Sequence, residues 1–297
     1  MPLHAHAAHG IWQVPFFSLF LFCAAWLYLH GWIRFRRMPG GVIPIWKAAA
    51  FLLGVFLIWV ASESPIAAYD HRLLTFHMVK HLLLMTFAPP LVLLGEPAKV
   101  FRNELPRVAA AAVRRVSRQP VVCGLIRTLT RPVTCYIVST VTLLLWHLPP
   151  VFALAVRSEI WHTTEQSMFL VAGLMFWWPV VEPGAGGSAT ARWSILLYLF
   201  LATLPCDILS GFLVFSDRIV YPEYASAARM FGLSAVGDQQ CAGALMWTCV
   251  TLVYLVPAVI LSARLLSPLS FDRGDLVQSD LRDRTASQGD SQRLEAI

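Results

Sequence analysis

Residues 77–90, HMVKHLLLMTFAPP, place two histidines, a lysine and a methionine within an otherwise apolar segment. His77, His81 and Met85 follow one another at intervals of four residues, so a helix would carry them on one face. Imidazole binds copper, zinc, iron and nickel, and thioether sulfur selects Cu(I). Ionisable groups inside lipid are costly and usually functional. This stripe therefore predicts a metal site, and its soft ligands suit reduced copper.

Other segments carry polar or sulfur side chains that we expect at a similar depth. The candidate metal ligands, taken together, are His77, His81, Met85, His147, His162, Cys206, Asp207 and Asp238. Alternatively, Glu165, Asp207 and Asp238 do not bind the metal themselves but orient the imidazoles by hydrogen bonds. An ion pair between Lys80 and Asp207 would lower the cost of placing both charges in the membrane. Each histidine taken singly also has a simpler interpretation, a hydrogen bond between helices.

Two proline pairs adjoin these candidates. Pro89–Pro90 follow the stripe, and Pro149–Pro150 follow His147 in the stretch WHLPP. Each proline removes a helical hydrogen bond and leaves a carbonyl oxygen free. Membrane helices tolerate such irregular backbone beside cavities or partner helices. The prolines therefore favour a site over plain packing.

The composition indicates a membrane protein. The chain is 57% hydrophobic and only 13% charged, whereas soluble domains average about 25% charged residues. A membrane-spanning helix needs about 20 mostly apolar residues. Seven segments meet that requirement, at 12–31, 45–62, 72–95, 133–153, 163–181, 193–215 and 239–265. We therefore predict an all-α, polytopic membrane protein with seven transmembrane helices.

The distribution of lysine and arginine predicts the orientation. With the N-terminus outside, 18 of the 23 basic residues fall on the cytoplasmic side, where such residues are retained. Four fall outside, and Lys80 alone lies within a span. The C-terminus is then cytoplasmic. The net charge of +6 therefore reflects this topology, in which most basic residues face the anionic cytoplasmic leaflet, and we expect no nucleic-acid partner.

Three regions follow from this topology. Residues 1–11 form a His-containing periplasmic N-terminus, 12–266 a seven-helix membrane domain, and 267–297 a disordered cytoplasmic tail. Eight of the nine histidines then lie outside or in the outer half of the bilayer. We expect copper to enter from that side, gathered by His4, His6 and His9.

Five stretches carry a resemblance to a known family. They are HMVKHLLLMTFAPPLVLLGEP (77–97), WHLPPVFALAVRS (146–158), HTTEQSMFLVAGLMFWWPV (162–180), LPCDILSGFLVFSD (204–217) and GDQQCAGALMW (237–247). Over about 70–265, the chain resembles the CtaG family of cytochrome c oxidase assembly factors, the multi-span type associated with caa-type oxidases. The matching candidate residues are His77, His81, His147, His162, Asp207 and Asp238. The chain departs from the family pattern at Gln166, Cys206 and Thr248–Cys249, which affects the expected coordination.

The resemblance implies a multi-pass protein of the bacterial inner membrane without enzymatic activity. It implies a role in delivering or inserting copper into a haem–copper oxidase, with an oxidase subunit and periplasmic copper chaperones as partners. Three alternatives stay open. One is a zinc hydrolase with His77, His81 and His147 as ligands and Asp207 or Glu165 as base. The others are a b-type haem protein with His81 and His147 as axial ligands, and a copper transporter.

Overall fold

The computed structural model describes residues 13–37, 43–64, 69–104, 106–181, 189–225 and 232–266. All regular structure in these residues is helical. The first half contains α1 (Gln13–Arg36), α2 (Ile45–Glu63), α3 (Leu74–Leu82), a π-helical segment (Leu83–Phe87), α4 (Ala88–Leu94), α5 (Pro97–Glu104), α6 (Arg107–Ser117) and α7 (Pro120–Leu129). The second half contains α8 (Pro132–Trp146), α9 (Pro149–Arg157), α10 (Glu159–Val181), α11 (Ala189–Phe215), a 3-10 turn (Pro222–Tyr224) and α12 (Ala235–Leu266).

The described helices confirm an all-helical protein suited to a membrane. Five continuous helical segments are long and apolar enough to span one: Phe16–Arg36, Ile45–Glu63, Leu74–Leu94, Trp193–Phe215 and Ala235–Leu266. The pair Pro120–Leu129 and Pro132–Trp146, bent by 61°, adds a sixth if it forms one span. α10 covers the predicted span at 163–181, but its first turns are polar. The number of seven spans and the orientation therefore stay predictions, as do the two terminal regions, which lie outside the described residues.

The predicted span at 133–153 is two helices. α8 ends at Trp146 and α9 begins at Pro149, because the two prolines have no amide hydrogen to continue the ladder. His147 lies at this break. Its carbonyl oxygen accepts a hydrogen bond from the Tyr221 hydroxyl at 2.8 Å. The irregular backbone expected beside a histidine is thus present, and a side chain from a distant loop satisfies it.

The second proline pair lies beside a π-helical turn. Pro89 and Pro90 have no amide hydrogen to donate to the carbonyls of Met85 and Thr86. The amide of Ala88 donates to the carbonyl of Leu83, five residues earlier, which is the π-helical pattern. A β-carbon added at Gly173 would lie 2.7 Å from the Met85 carbonyl oxygen, so α10 approaches this turn closely because residue 173 is glycine. Short π segments within α-helices are frequent at functional sites.

The two ends of the bundle carry different side chains. At one end, Lys47 and Lys99 pair with Glu96, and His30 contacts Glu104 at 3.0 Å. α2 and the α3–α4 segment run in opposite directions, so the loop before α3 lies at the other end. That end holds the remaining described histidines and is the location of the site.

Candidate metal centre

Two histidines and a glutamate converge inside the bundle. His77 and His81 come from successive turns of α3, and their ring centroids are 4.3 Å apart. Glu165, on α10, places Oε1 3.7 Å from Nε2 of His77 and 3.6 Å from Nε2 of His81. All three side chains are buried, and one ligand atom from each lies within 4.8 Å of the others. We call this group the His–Glu triad. It confirms that the two predicted histidines share one helix face.

Within the part of the chain that the structure describes, the polar atoms of the triad have no hydrogen-bond partners. Both ring nitrogens of His77, both of His81 and both carboxylate oxygens of Glu165 are buried, and no described residue bonds to them. The separations of 3.6 and 3.7 Å exceed the 2.7–3.2 Å range of N–H···O hydrogen bonds. When two ligand atoms bind the same zinc-sized ion, each at about 2.0–2.1 Å from it, the two atoms lie about 3.3–4 Å from each other. The triad therefore has the spacing of metal ligands without an intervening hydrogen bond.

Packing fixes the orientation of the two imidazoles. Phe169 stacks on His81 with ring centroids 4.0 Å apart, and Phe152 lies edge-on to His77 at 5.0 Å. Because both rings are held by aromatic neighbours, their nitrogens keep their positions without hydrogen bonds. Such preorganised side chains are what a metal site requires.

Asp238 anchors the helix that carries the triad histidines. Its carboxylate accepts hydrogen bonds from the amides of Leu74 and Thr75, at 2.7 and 3.1 Å, and from the Thr75 hydroxyl at 2.6 Å. These contacts satisfy free amides at the start of α3 and join it to α12. Asp238 was predicted as a ligand, with a structural role as the alternative. The structure places it outside the triad, in a capping position.

A second group lies nearer the end of the bundle. Asp70 Oδ2 is 3.2 Å from Nε2 of His162, and Oδ1 is 3.4 Å from Nε2 of His71. The Lys80 ammonium donates to Asp70 Oδ2 at 2.6 Å. The expected pair of Lys80 with Asp207 is therefore wrong. The long lysine side chain extends back along α3 to the preceding loop, as such side chains do near the ends of membrane helices.

Charge makes this second group a weaker metal site. Burial by itself raises the pKa of Asp70, but the hydrogen bond from His162 and the charge of Lys80 together hold it below its ordinary range. Asp70 is therefore ionised and already neutralised by an ammonium group. His71 is half-exposed, so this group forms a rim above the triad. His162, a predicted ligand, belongs to this rim.

His147 occupies a third position beside the triad. Its ring centroid lies 5.8 Å from that of His81, and its Nε2 is 3.4 Å from the sulfur of Met78. Met85 and Cys206, both predicted ligands, line a cavity beside these two histidines. The predicted ligands thus separate into the triad, the rim and a sulfur-containing cavity.

The remaining assignments differ from the prediction in instructive ways. Asp207 is half-buried on α11 and lies outside both acidic groups found in the described residues; its Oδ1 has no hydrogen-bond partner. Glu165 was expected as an outer partner or a base, but it lies within the triad. Asp70 and His71 were not among the candidates, although their adjacency to the span carrying His77 was a usable signal. His4, His6 and His9 lie outside the described residues.

These features define a class: a helical membrane protein with a buried histidine–carboxylate centre near one end. Residues 26–267 match the family described as cytochrome c oxidase caa3 assembly factor, Caa3_CtaG. The chain belongs to this family, as the resemblance in its sequence implied.

The relatives of this chain add little about mechanism. An uncharacterized protein of Mycobacterium leprae is 25% identical over 244 residues, covering 80% of this chain and 36% of the relative. Uncharacterized proteins of Mycobacterium bovis and Mycobacterium tuberculosis are each 24% identical over 243 residues, covering 79% of this chain and 36% of the relative. The chain thus spans 36% of the length of these relatives. No solved structure matches it.

Proposed function

We propose that this protein assists the assembly of a caa3-type cytochrome c oxidase by holding copper at His77, His81 and Glu165 and passing it to an oxidase subunit. The observation that carries the proposal is the set of six buried ring-nitrogen and carboxylate-oxygen atoms in the triad, which have no hydrogen-bond partner among the described residues. Leaving so many polar groups unsatisfied is costly, and native proteins do so where a ligand or ion completes the site. Imidazole nitrogens are common ligands of copper.

The position of the triad supports a carrier over a storage site. The rim group with its half-exposed His71 lies between the triad and the end of the bundle. With the N-terminus outside, this end faces the periplasm. Copper would arrive there from a periplasmic chaperone, with His4, His6 and His9 as collecting ligands, and would leave by ligand exchange. The family assignment supports an oxidase subunit as the acceptor.

A zinc hydrolase is the second candidate, since two histidines and a glutamate are a ligand set of catalytic zinc. That activity also needs an acid or base beside the open coordination position. With Glu165 used as a ligand, Asp207 is the remaining candidate base, and it lies outside the triad. This favours copper transfer over hydrolysis. The arrangement disfavours haem, because Phe169 packs against both His81 and His147.

Metal analysis tests the proposal. The full chain is purified in mild detergent under reducing conditions, and its metal content is measured by mass spectrometry. The His77→Ala/His81→Ala variant removes the triad, and His30→Ala, which changes a histidine at the opposite end, is the matched control. We expect equal copper in the parent and the control, and at least one copper ion fewer per chain in the double variant. Oxidase assembly in cells should fail with the same variant.

Two results would contradict this assignment. Zinc in place of copper, lost in the same variant, would favour the hydrolase. Equal copper in the parent and the double variant would place the bound metal elsewhere.

A further inference from the structure

A row of imidazoles joins the end of the bundle to its interior. Consecutive ring centroids are 4.7, 5.9, 4.3 and 5.8 Å apart along the series His71, His162, His77, His81 and His147. The first ring is half-exposed, and the other four are buried. The row passes through the triad and continues beyond it, so the triad is not its end.

At the inner end, two electron-pair donors face each other. Nδ1 of His147 is 2.7 Å from the Leu143 carbonyl oxygen, which can only accept, so the hydrogen of the neutral ring is on Nδ1. Nε2 then carries a lone pair, and it lies 3.4 Å from the Met78 sulfur, which has no hydrogen to donate. Both side chains are buried. Two acceptors at this separation are arranged as ligands of a shared cation.

These two side chains border a small cavity of about 40 Å³. That volume is sufficient for a metal ion or for at least one water molecule. Three further sulfur-containing residues, Met85, Cys206 and Met246, line the same cavity. Of the described residues that line it, none is an aspartate, glutamate, lysine or arginine. Thioether ligands select Cu(I), whereas zinc is held by thiolate, imidazole and carboxylate ligands, so a cavity whose sulfur comes mainly from methionine favours Cu(I) over zinc.

We infer that this cavity is a second metal site, specific for Cu(I), with Met78 and His147 as its core ligands and Met85, Cys206 and Met246 as further sulfur donors. His81 belongs to the triad and also lines the cavity, so it connects the two sites. The inference rests on the proposed function insofar as the triad supplies the ion. Copper moving inward along the imidazole row passes from nitrogen and oxygen ligands to sulfur ligands. This order retains Cu(I) and rejects zinc.

Silver and zinc distinguish the two sites. Ag(I) is a redox-stable substitute for Cu(I), and Zn(II) tests the triad. The detergent-purified full chain is titrated with each ion and its stoichiometry is read by native mass spectrometry. Met78→Leu/Met246→Leu alters the cavity with little change in volume. Met168→Leu, at an exposed methionine outside the cavity, is the matched control. His77→Ala/Glu165→Gln alters the triad and leaves the lining of the cavity intact.

We expect the parent and the Met168 variant to bind one more silver ion than zinc ion. The cavity variant should lose one silver ion and keep its zinc, and that retained zinc shows that it is folded. The triad variant should lose zinc and keep a silver ion. X-ray absorption of the copper-loaded protein should show sulfur neighbours that disappear in the cavity variant.

Two outcomes overturn the second site. One is equal silver binding by the parent and the cavity variant, and the other is copper without sulfur neighbours. With either result, the triad is still supported as a metal site if the triad variant loses zinc binding. A parent that binds neither ion overturns both the triad and the cavity site.

Discussion

Replacing Glu165 with glutamine separates a metal-binding role of this carboxylate from a structural one. Glu165 is fully buried, and the ring nitrogens of His77 and His81 nearest to it lie beyond hydrogen-bond distance. Glutamine keeps the shape of the side chain and removes its charge. Because a buried charge without a hydrogen-bond partner is costly, we expect the metal-free variant to be at least as stable as the parent.

The metal-bound state should respond in the opposite direction. Loss of a group that only supports a ligand weakens metal binding by about 10- to 100-fold, so loss of a direct ligand should weaken it by about 100-fold or more. At a free metal concentration of about 100 times Kd, the ion stabilises the parent by about 2.7 kcal/mol. At the same concentration, a variant that binds about 100-fold more weakly gains only about 0.4 kcal/mol.

Thermal unfolding in detergent, with and without added copper, measures both effects. Glu223→Gln is the matched control, since Glu223 pairs with the exposed Arg157 at the same end of the bundle and lies outside the triad. The control should keep the full copper-induced rise in Tm. The reasoning is refuted if Glu165→Gln also keeps that rise, or if the metal-free variant is clearly less stable than the parent.

Three further perturbations test other parts of the structure. Lys80→Met leaves Asp70 as a buried charge without its ammonium partner, so the free energy of unfolding should fall by about 3–5 kcal/mol. Adding Asp70→Asn to this variant should restore most of the lost stability, and thermal unfolding measures both changes. Gly173→Ala places a methyl group against the Met85 carbonyl, so α10 must shift. Chelator competition should then show about 10- to 100-fold weaker metal binding. Gly124→Ala, at an exposed glycine, is the control and should leave the metal affinity unchanged. Metal affinity should also fall as the solution is acidified, because protons compete with the ion for the imidazole lone pairs. Chelator competition at a series of pH values measures this, and an affinity that does not change over the whole acidic range in which the protein stays folded would argue against histidine ligation.

Several features of the candidate site follow from the sequence alone. The spacing of His77 and His81 determines that both rings share a face, because the helical repeat fixes the direction of residues four apart. Long apolar segments determine the helical membrane character, since backbone groups in lipid must be satisfied within the helix. The proline pair after His147 predicts a break there, and α8 ends beside it.

Other features depend on which helix faces meet, and only the tertiary structure decides that. Glu165 reaches the two histidines because Gly173 allows α10 to pack closely against the π-helical turn. Lys80 pairs with Asp70 and not with Asp207, although the sequence presents either aspartate as a partner. Local periodicity is set by backbone geometry within a few residues. Contacts between distant helices depend on the shapes of both packed surfaces, which a single segment of sequence does not contain.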